Sequence, residues 1–390
     1  MHRTILFAAL AVIPLALSGC DGSEPPSPAS PAPACRAVRN TPVALAVGAR
    51  ANVPKPQLPS QVGDLMRDAA GAHQQLSLIR LDGRPEVVFD QRPPEPAKNG
   101  PADQQRTNDY LTAAEKAAAD GLRARTAEAD VLGALTLAGR ATQGGGTIVV
   151  VDSGLQTVYP LNYAQDRLLE AEPSDVTAFL RDHTLLPDLR GRTVLLAGFG
   201  NTAAPQPDLD NRLRARLVAT WRAIAEESGA ACVDVLEQAN TAKSEVDSPA
   251  VSVVPLPPPP QPPAPCGTVA LGEDDNISFQ PDTATFRDPG GARETLRKFA
   301  ELLRDPRRSA ELTGTTATQG TVSGRIALAT HRAEAVKAVL VELGVAGERI
   351  TTRGAGSDWP GHVPDLGPDG KLLPGPAAQN RKVVVAITCA

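Results

Sequence analysis

The sequence predicts an α/β chain: a mostly parallel sheet covered by helices, followed by a smaller α+β domain. Three observations carry that prediction. Continuous apolar runs recur between about residues 42 and 236 and alternate with helix-length amphipathic stretches, the order expected of parallel strands joined by crossovers. A proline-dense stretch, Pro255-Leu-Pro-Pro-Pro-Pro-Gln-Pro-Pro-Ala-Pro265, then divides the chain. Beyond it Leu328, Val336, Val339, Leu340 and Leu343 fall at helical spacing and give one apolar stripe.

In chain order, the first segment reads as an export signal over residues 1–19. His2-Arg3 is a basic start, and Ile5 to Leu17 is apolar but too short for a lasting membrane span. Leu17-Ser18-Gly19-Cys20 matches the bacterial lipobox. That resemblance implies cleavage before Cys20 and acylation of its thiol, with diacylglycerol and a palmitate-type chain as a firm anchor. Residues 20–35 are rich in Pro, Ser and Ala and read as a disordered tether.

The first domain spans 36–240. Pro42 to Val47 is the first buried strand, and Gln61 to Ala72 forms a helix. Gln75 to Leu81 and Glu86 to Phe89 are strands around the turn signal Asp82-Gly83. Thr112 to Ala141 is one long helix or two. Thr147 to Val151, Thr193 to Ala197 and Ala231 to Leu236 are further strands. Between them lie a helix capped by Ser174 and running to about His183, and an amphipathic helix from Leu209 to Ser228.

That element order resembles the von Willebrand factor A-like domains. The resemblance implies a divalent metal held by Asp-x-Ser-x-Ser after the first strand. Gly48-Ala49-Arg50 stands there instead, so no metal site is expected. Ligands of open α/β sheets bind beyond the carboxyl ends of the strands. Asp152, Ser153, Thr157, Asn201 and Thr202 fall in those loops, either as helix caps and turns or as a surface for a small ligand or partner. Ser153 lacks the Gly-x-Ser-x-Gly elbow of hydrolases, His73 and His183 lie away from the strand ends, and Gly144-Gly145-Gly146 precedes a strand rather than a helix. No catalytic set and no cofactor are predicted.

Residues 241–265 read as a semi-stiff polyproline linker. The last domain, 266–390, is organised around the helix carrying Arg332. Placed at the start of that helix, beside unpaired backbone N–H groups, Arg332 and Ala333 form a corner suited to a carboxylate.

Leu328-Ala329-Thr330-His331-Arg332-Ala333-Glu334-Ala335-Val336 is similar to the signature of OmpA-like peptidoglycan-binding domains. Gly344-Val345, Arg349-Ile350, Gly354-Ala355-Gly356 and Asn380-Arg381-Lys382-Val383 follow in the family's order. Upstream, Ile277-Ser278-Phe279 and Phe286 match its first strand and turn. The resemblance implies strands at 268–279, 309–313, 349–352 and 382–387, with helices at 291–303 and through the motif. It also implies that Arg332, with Thr316, Arg325 and Asn380 nearby, contacts the diaminopimelate of a peptidoglycan stem. The family's Gly-His-Thr-Asp falls on Gly314-Thr315-Thr316-Ala317, so the carboxylate that pairs with the ligand's ammonium is missing. One lost charged hydrogen bond is worth about 1.5–3 kcal/mol, a tenfold or greater loss of affinity.

Four cysteines remain besides Cys20. Cys35 and Cys232 each border a strand of the first domain, while Cys266 and Cys389 bracket the last, so the pairs Cys35–Cys232 and Cys266–Cys389 are expected in an oxidising envelope. The net charge of -5 points to no nucleic-acid partner, and 3% aromatics exclude base- or sugar-stacking platforms. The whole reads as a non-catalytic envelope lipoprotein, anchored by lipid to the outer face of the plasma membrane or to an outer membrane. Its last domain contacts peptidoglycan with a weakened anchor, or has become a protein-interaction scaffold.

Overall fold

The computed structural model describes residues 35, 38–142, 145–237, 240–244, 248–257 and 263–389. The export signal, the lipobox Cys20 and nearly all of the tether lie outside them, as do residues 258–262 of the proline run. The first domain runs β1 (Val43–Val47), α1 (Ser60–Gly71), β2 (Leu76–Arg80), β3 (Glu86–Phe89), α2 (Gly100–Gly121), α3 (Val131–Ala141), β4 (Gly146–Val151), α4 (Pro173–Asp182), β5 (Arg192–Ala197), α5 (Asn211–Glu227) and β6 (Cys232–Leu236). The sheet order is β3-β2-β1-β4-β5-β6. All neighbours are parallel except β2 and β3, the antiparallel edge that the Asp82-Gly83 turn predicted.

Alternate strand residues point to opposite faces, and here both faces are dry. Ala44, Ala46, Ile148, Val150, Val194 and Leu196 pack under α3, α4 and α5 around the fully buried Trp221. Val43, Leu45, Val47, Val149, Val151 and Leu195 pack under α1 and α2. Two-sided burial is why these strands read as unbroken apolar runs.

The stretch expected as one long helix or two is two, and the first begins earlier than expected. Asn99 caps α2 through Ala102 N–H (2.9 Å), and Asp130 caps α3 through Gly133 N–H (2.8 Å). Asp82, fully buried, holds the segment between them as a loop. Its carboxylate accepts from the backbone N–H of Arg125 (2.8 Å), Thr126 (3.0 Å) and Arg84 (3.0 Å). Burial would raise the pKa of Asp82, but these donors, with the Thr126 hydroxyl, outweigh it and hold the carboxyl below its ordinary value. A depressed folded pKa gives stability that is present above the ordinary carboxylate range and is lost as pH falls through the folded value. Asp82→Asn is expected to cost about 1.5–3 kcal/mol at neutral pH. Urea midpoints of the two proteins should converge in acid; a gap independent of pH would show that charge is not what matters there.

Helix α4 departs from expectation at its start. Glu172 occupies the N-cap position with no side-chain cap bond, Pro173 is the first helical residue, and Ser174 is already inside the helix. Its α-region backbone takes Ser174 out of the capping geometry.

The expected linker is partly a strap. Val251 and Val254 are buried, and the strap's backbone is satisfied by side chains of the first domain. Asn52 Nδ2 donates to Val251 O (3.0 Å), and Gln206 exchanges bonds with Val254 N (2.7 Å) and O (3.1 Å). These amide partners satisfy the strap's backbone at Val251 and Val254 where it is buried.

The last domain runs β7 (Gly267–Leu271), α6 (Pro289–Leu302), β8 (Arg308–Thr315), α7 (Val322–Glu342), β9 (Ile350–Gly356), α8 (Pro374–Asn380) and β10 (Val383–Cys389), with sheet order β7-β10-β8-β9. The first strand is shorter than predicted. A 3-10 turn at Glu273–Asp275 follows, Asn276 is left-handed (φ 60°), and only an isolated bridge, Phe279 to Phe286, continues the pairing. Helices α6 and α7 cover the sheet through Leu296, Phe299, Ala333, Val336 and Leu340. At Gly314 a Cβ would stand 1.8 Å from Ala329 O, so only glycine lets β8 approach α7 this closely. Both expected disulfides are present, Cys35–Cys232 with Cα atoms 5.7 Å apart and Cys266–Cys389 at 5.8 Å.

Candidate functional site

Helix α7 begins ten residues before Arg332, where Thr321 Oγ1 accepts from Gly324 N–H (3.1 Å). Arg332 is therefore mid-helix, not at an N-terminus with free N–H groups. The apolar stripe marked the helix but not its first turn, because residues 322–327 face away from the core and carry no periodic signal. Any attraction of Arg332 for an anion comes from its guanidinium alone.

That guanidinium is buried, at 6% exposure. It stacks over the Phe279 ring at 5.1 Å, and Nε donates to Thr283 O (3.0 Å). Phe279 itself stacks on Phe286 at 4.8 Å, so the bridged segment 279–286 fixes the arginine. Burial, and then the neighbouring Arg381, push the Arg332 pKa down to about 10, and it stays cationic at neutral pH. Among the described residues no carboxylate lies within ion-pair distance of it. Asp282 and Glu172 offset part of its charge from a distance, and an incoming carboxylate in direct contact relieves the remaining cost of burial.

Arg332 faces a cleft of about 410 Å³. Thr316 and Arg325, two of the residues expected near Arg332, line it together with Ala317 and Leu328. Asp282 and Arg287 join from the segment before α6, and Arg381 from the chain after α8. Glu172, Ser174 and Asp175, at the start of α4, close the far side. The wall of the cleft thus comes from both domains, which lie within one compact unit. Glu172 pairs with Arg287 (2.7 Å), and Asp175 pairs with Arg381. Elsewhere on this junction Arg212 pairs with Asp274, Arg216 with Glu273, and His183 Nε2 meets Asp369 Oδ2 at 2.9 Å. A Cβ at Gly375 would stand 1.7 Å from Asp166 O, so the two domains meet there backbone to backbone.

Asn380 is not in the cleft. It is fully buried, its Nδ2 donating to Val363 O (2.8 Å) and Asp365 Oδ2 (2.9 Å), its Oδ1 accepting from Val363 N–H (2.9 Å). Its amide braces the loop before α8 rather than meeting solvent or a ligand. The cleft residues from the first domain, and Asp282, carry no signal in sequence: each is an ordinary surface-type residue until the fold brings it opposite Arg332.

The polar cluster at the strand ends of the first domain is buried as well. Asp152 accepts from Arg50 Nη2 (2.8 Å) and Gly154 N–H (2.8 Å), and Arg50 and Asp152 are 1% and 2% exposed. Ser153 Oγ accepts from Leu155 N–H (3.3 Å), Thr157 Oγ1 from Ala129 N–H (2.9 Å), and Asn201 Oδ1 from Arg214 (2.8 Å). Thr202 Oγ1 donates to Pro207 O (3.1 Å). These side chains tie turns together, and the pocket left between Asp152 and Asn201 is only about 30 Å³. Asn201 also borders a larger cavity, of about 770 Å³, along α5 and β6, which Asp152, Ser153, Thr157 and Thr202 do not line. Among the described residues no cluster of three or more His, Cys, Asp or Glu is placed to hold a metal ion.

No curated protein matches this chain. Among solved structures, the chain is similar to the peptidoglycan-associated lipoprotein of Burkholderia pseudomallei, at 23% identity over 33% of this chain and 96% of that one (TM-score 0.25). It is similar to the periplasmic domain of Helicobacter pylori MotB at 18% identity, over 31% and 81% (TM-score 0.25). The OmpA-like domain of FopA1 from Francisella tularensis aligns at 26% identity over 29% and 68% (TM-score 0.22). Residues 278–362 match the model of the OmpA family.

Proposed function

We propose that this protein is a non-catalytic, lipid-anchored cell-envelope protein whose OmpA-like domain holds the diaminopimelate of a peptidoglycan stem in the cleft at Arg332. The observation that carries the reading is the buried guanidinium, with no carboxylate in ion-pair contact among the described residues, facing a cleft of about 410 Å³. Among the described residues four guanidiniums line that cleft against three carboxylates, Glu172, Asp175 and Asp282, so it favours a ligand that brings an extra negative charge. Among the described residues no helix is long and apolar enough to cross a membrane. The anchor in this reading is the acyl group on Cys20, with the outer face of the plasma membrane or an outer membrane as the site of attachment. Ala317, buried at 3% exposure, supports a second reading, a protein-interaction scaffold that no longer binds wall, because the family carboxylate is absent from the cleft floor.

Titration with a diaminopimelate-containing muropeptide separates the two. Arg332→Ala is expected to weaken binding by about tenfold to a hundredfold, as loss of a charge-assisted pair predicts. Ala317→Asp is expected to tighten it. No binding by the natural sequence, with binding restored by Ala317→Asp, would establish the scaffold reading instead.

A further inference from the structure

We propose that the wall-ligand cleft is a composite of both domains, in which Glu172 of the first domain receives the ligand's ammonium while Arg332 receives its carboxylate. This deepens the reading of the cleft as a wall-binding site and rests on it. The OmpA-like domain lacks the carboxylate at position 317, and the fold returns one from elsewhere: Glu172 lines the same cleft as Ala317 and Arg332.

The polar atoms left unsatisfied point the same way. Glu172 Oε2, Thr316 Oγ1 and Arg325 Nε are all buried without a hydrogen-bond partner, and all three residues line this cleft. Arg287 Nη2 pairs with Glu172 Oε2 at 2.7 Å, and the ligand's ammonium shares that carboxylate, which has lone pairs for more than one donor. An anionic acceptor, a hydroxyl and a cationic donor are the complement of an amino-acid head group, with its ammonium and carboxylate. Asp282 also lines the cleft but is exposed, whereas the Glu172 side chain is 12% exposed, where a charge-assisted bond is screened least. Glu172 and Arg332 face each other again across a second cavity of about 30 Å³, room for about one water. Asp175 supports this arrangement, because its pair with Arg381 leaves the Glu172 carboxylate free of that competitor.

The placement is firm. The ion pairs of Arg212 and Arg216 to Asp274 and Glu273, and the backbone contact at Gly375, hold the start of α4 against the cleft.

The test uses the full chain with its disulfides intact and two ligands measured by calorimetry. One is a muropeptide with a free diaminopimelate amine; the other is the same molecule with that amine acetylated. Free diaminopimelate serves as a third arm, to tell a stem peptide from a free amino acid. The natural protein is expected to prefer the free amine by about tenfold, the factor one charged hydrogen bond provides. Glu172→Gln should lose most of that preference. Glu172→Asp should retain part of it, which a merely structural role would not produce. The Glu172 side chain makes no cap bond, so the glutamine variant keeps the α4 cap while giving up the ion pair to Arg287. Unchanged preference in Glu172→Gln, with binding that still depends on Arg332, would overturn the composite site and leave the wall reading standing. Tighter binding by Glu172→Gln would make the first domain a lid and also overturn it. No binding by the natural protein would overturn both.

Discussion

Replacing Cys232 with serine is expected to lower the stability of the first domain by about 5 kcal/mol, the largest effect of any substitution proposed for this chain. The Cys35–Cys232 bond spans 197 residues of sequence, and the entropy removed from the unfolded chain grows with the loop closed. The bond also ties the entry of the domain to β6, the last strand and an edge of the sheet. Trp221 is a built-in reporter, fully buried, edge-on to Phe199 at 6.0 Å and donating to Gly154 O at 2.8 Å. Urea titration followed by its fluorescence should show a midpoint lower by about 2.5 M, taking a slope of roughly 2 kcal/mol/M. Reduction of the natural protein should move the midpoint by a similar amount. A shift below about 0.5 M would mean that the unfolded chain is already compact or that the bond is strained in the native state.

Arg50→Met is expected to cost about 3–5 kcal/mol, because it strands the Asp152 carboxylate in a dry crevice. Both partners are almost completely buried, and the guanidinium Nη2 lies 2.8 Å from Oδ1. Breaking one half of such a pair is worse than removing both, since the desolvation of the survivor is no longer offset. The double variant Arg50→Met/Asp152→Asn should therefore be more stable than Arg50→Met alone, a reversal that additive effects cannot produce. If the single variant stays within about 1 kcal/mol of the natural protein, water reaches the crevice and the burial argument fails. The pair also bears on what the first domain is. After β1 this chain places a guanidinium, a fixed cation that pairs with Asp152 at 2.8 Å. The crevice at Asp152 is consumed by the fold's own charges, and Arg332 opens instead on the cleft at the junction of the domains.

Much of the architecture was legible because burial leaves periodic traces. Strands covered on both faces read as apolar runs, and β1, β4 and β5 appear where those runs are. The antiparallel edge followed from Asp82-Gly83, and the cysteine pairing followed from which strands the cysteines flank. Boundaries were lost where local hydrogen bonds, not periodicity, decide them. Asp82 ends a helical stretch from more than forty residues away, and Thr321 starts α7 well before its apolar stripe.

The candidate site divides along the same line. By itself the sequence determined that the last domain carries the OmpA-like helix, that Arg332 is its cation, and that the carboxylate expected at 317 is missing. Those are properties of single positions in a motif, and a motif is local. Only the tertiary structure decided that Asn380 is a buried brace, that the polar loops of the first domain are closed on themselves, and that Glu172 and Asp175 face Arg332. Position 172 lies 160 residues from position 332 in the sequence. Charge complementarity acts through space, so no spacing or composition along the chain could have brought them together.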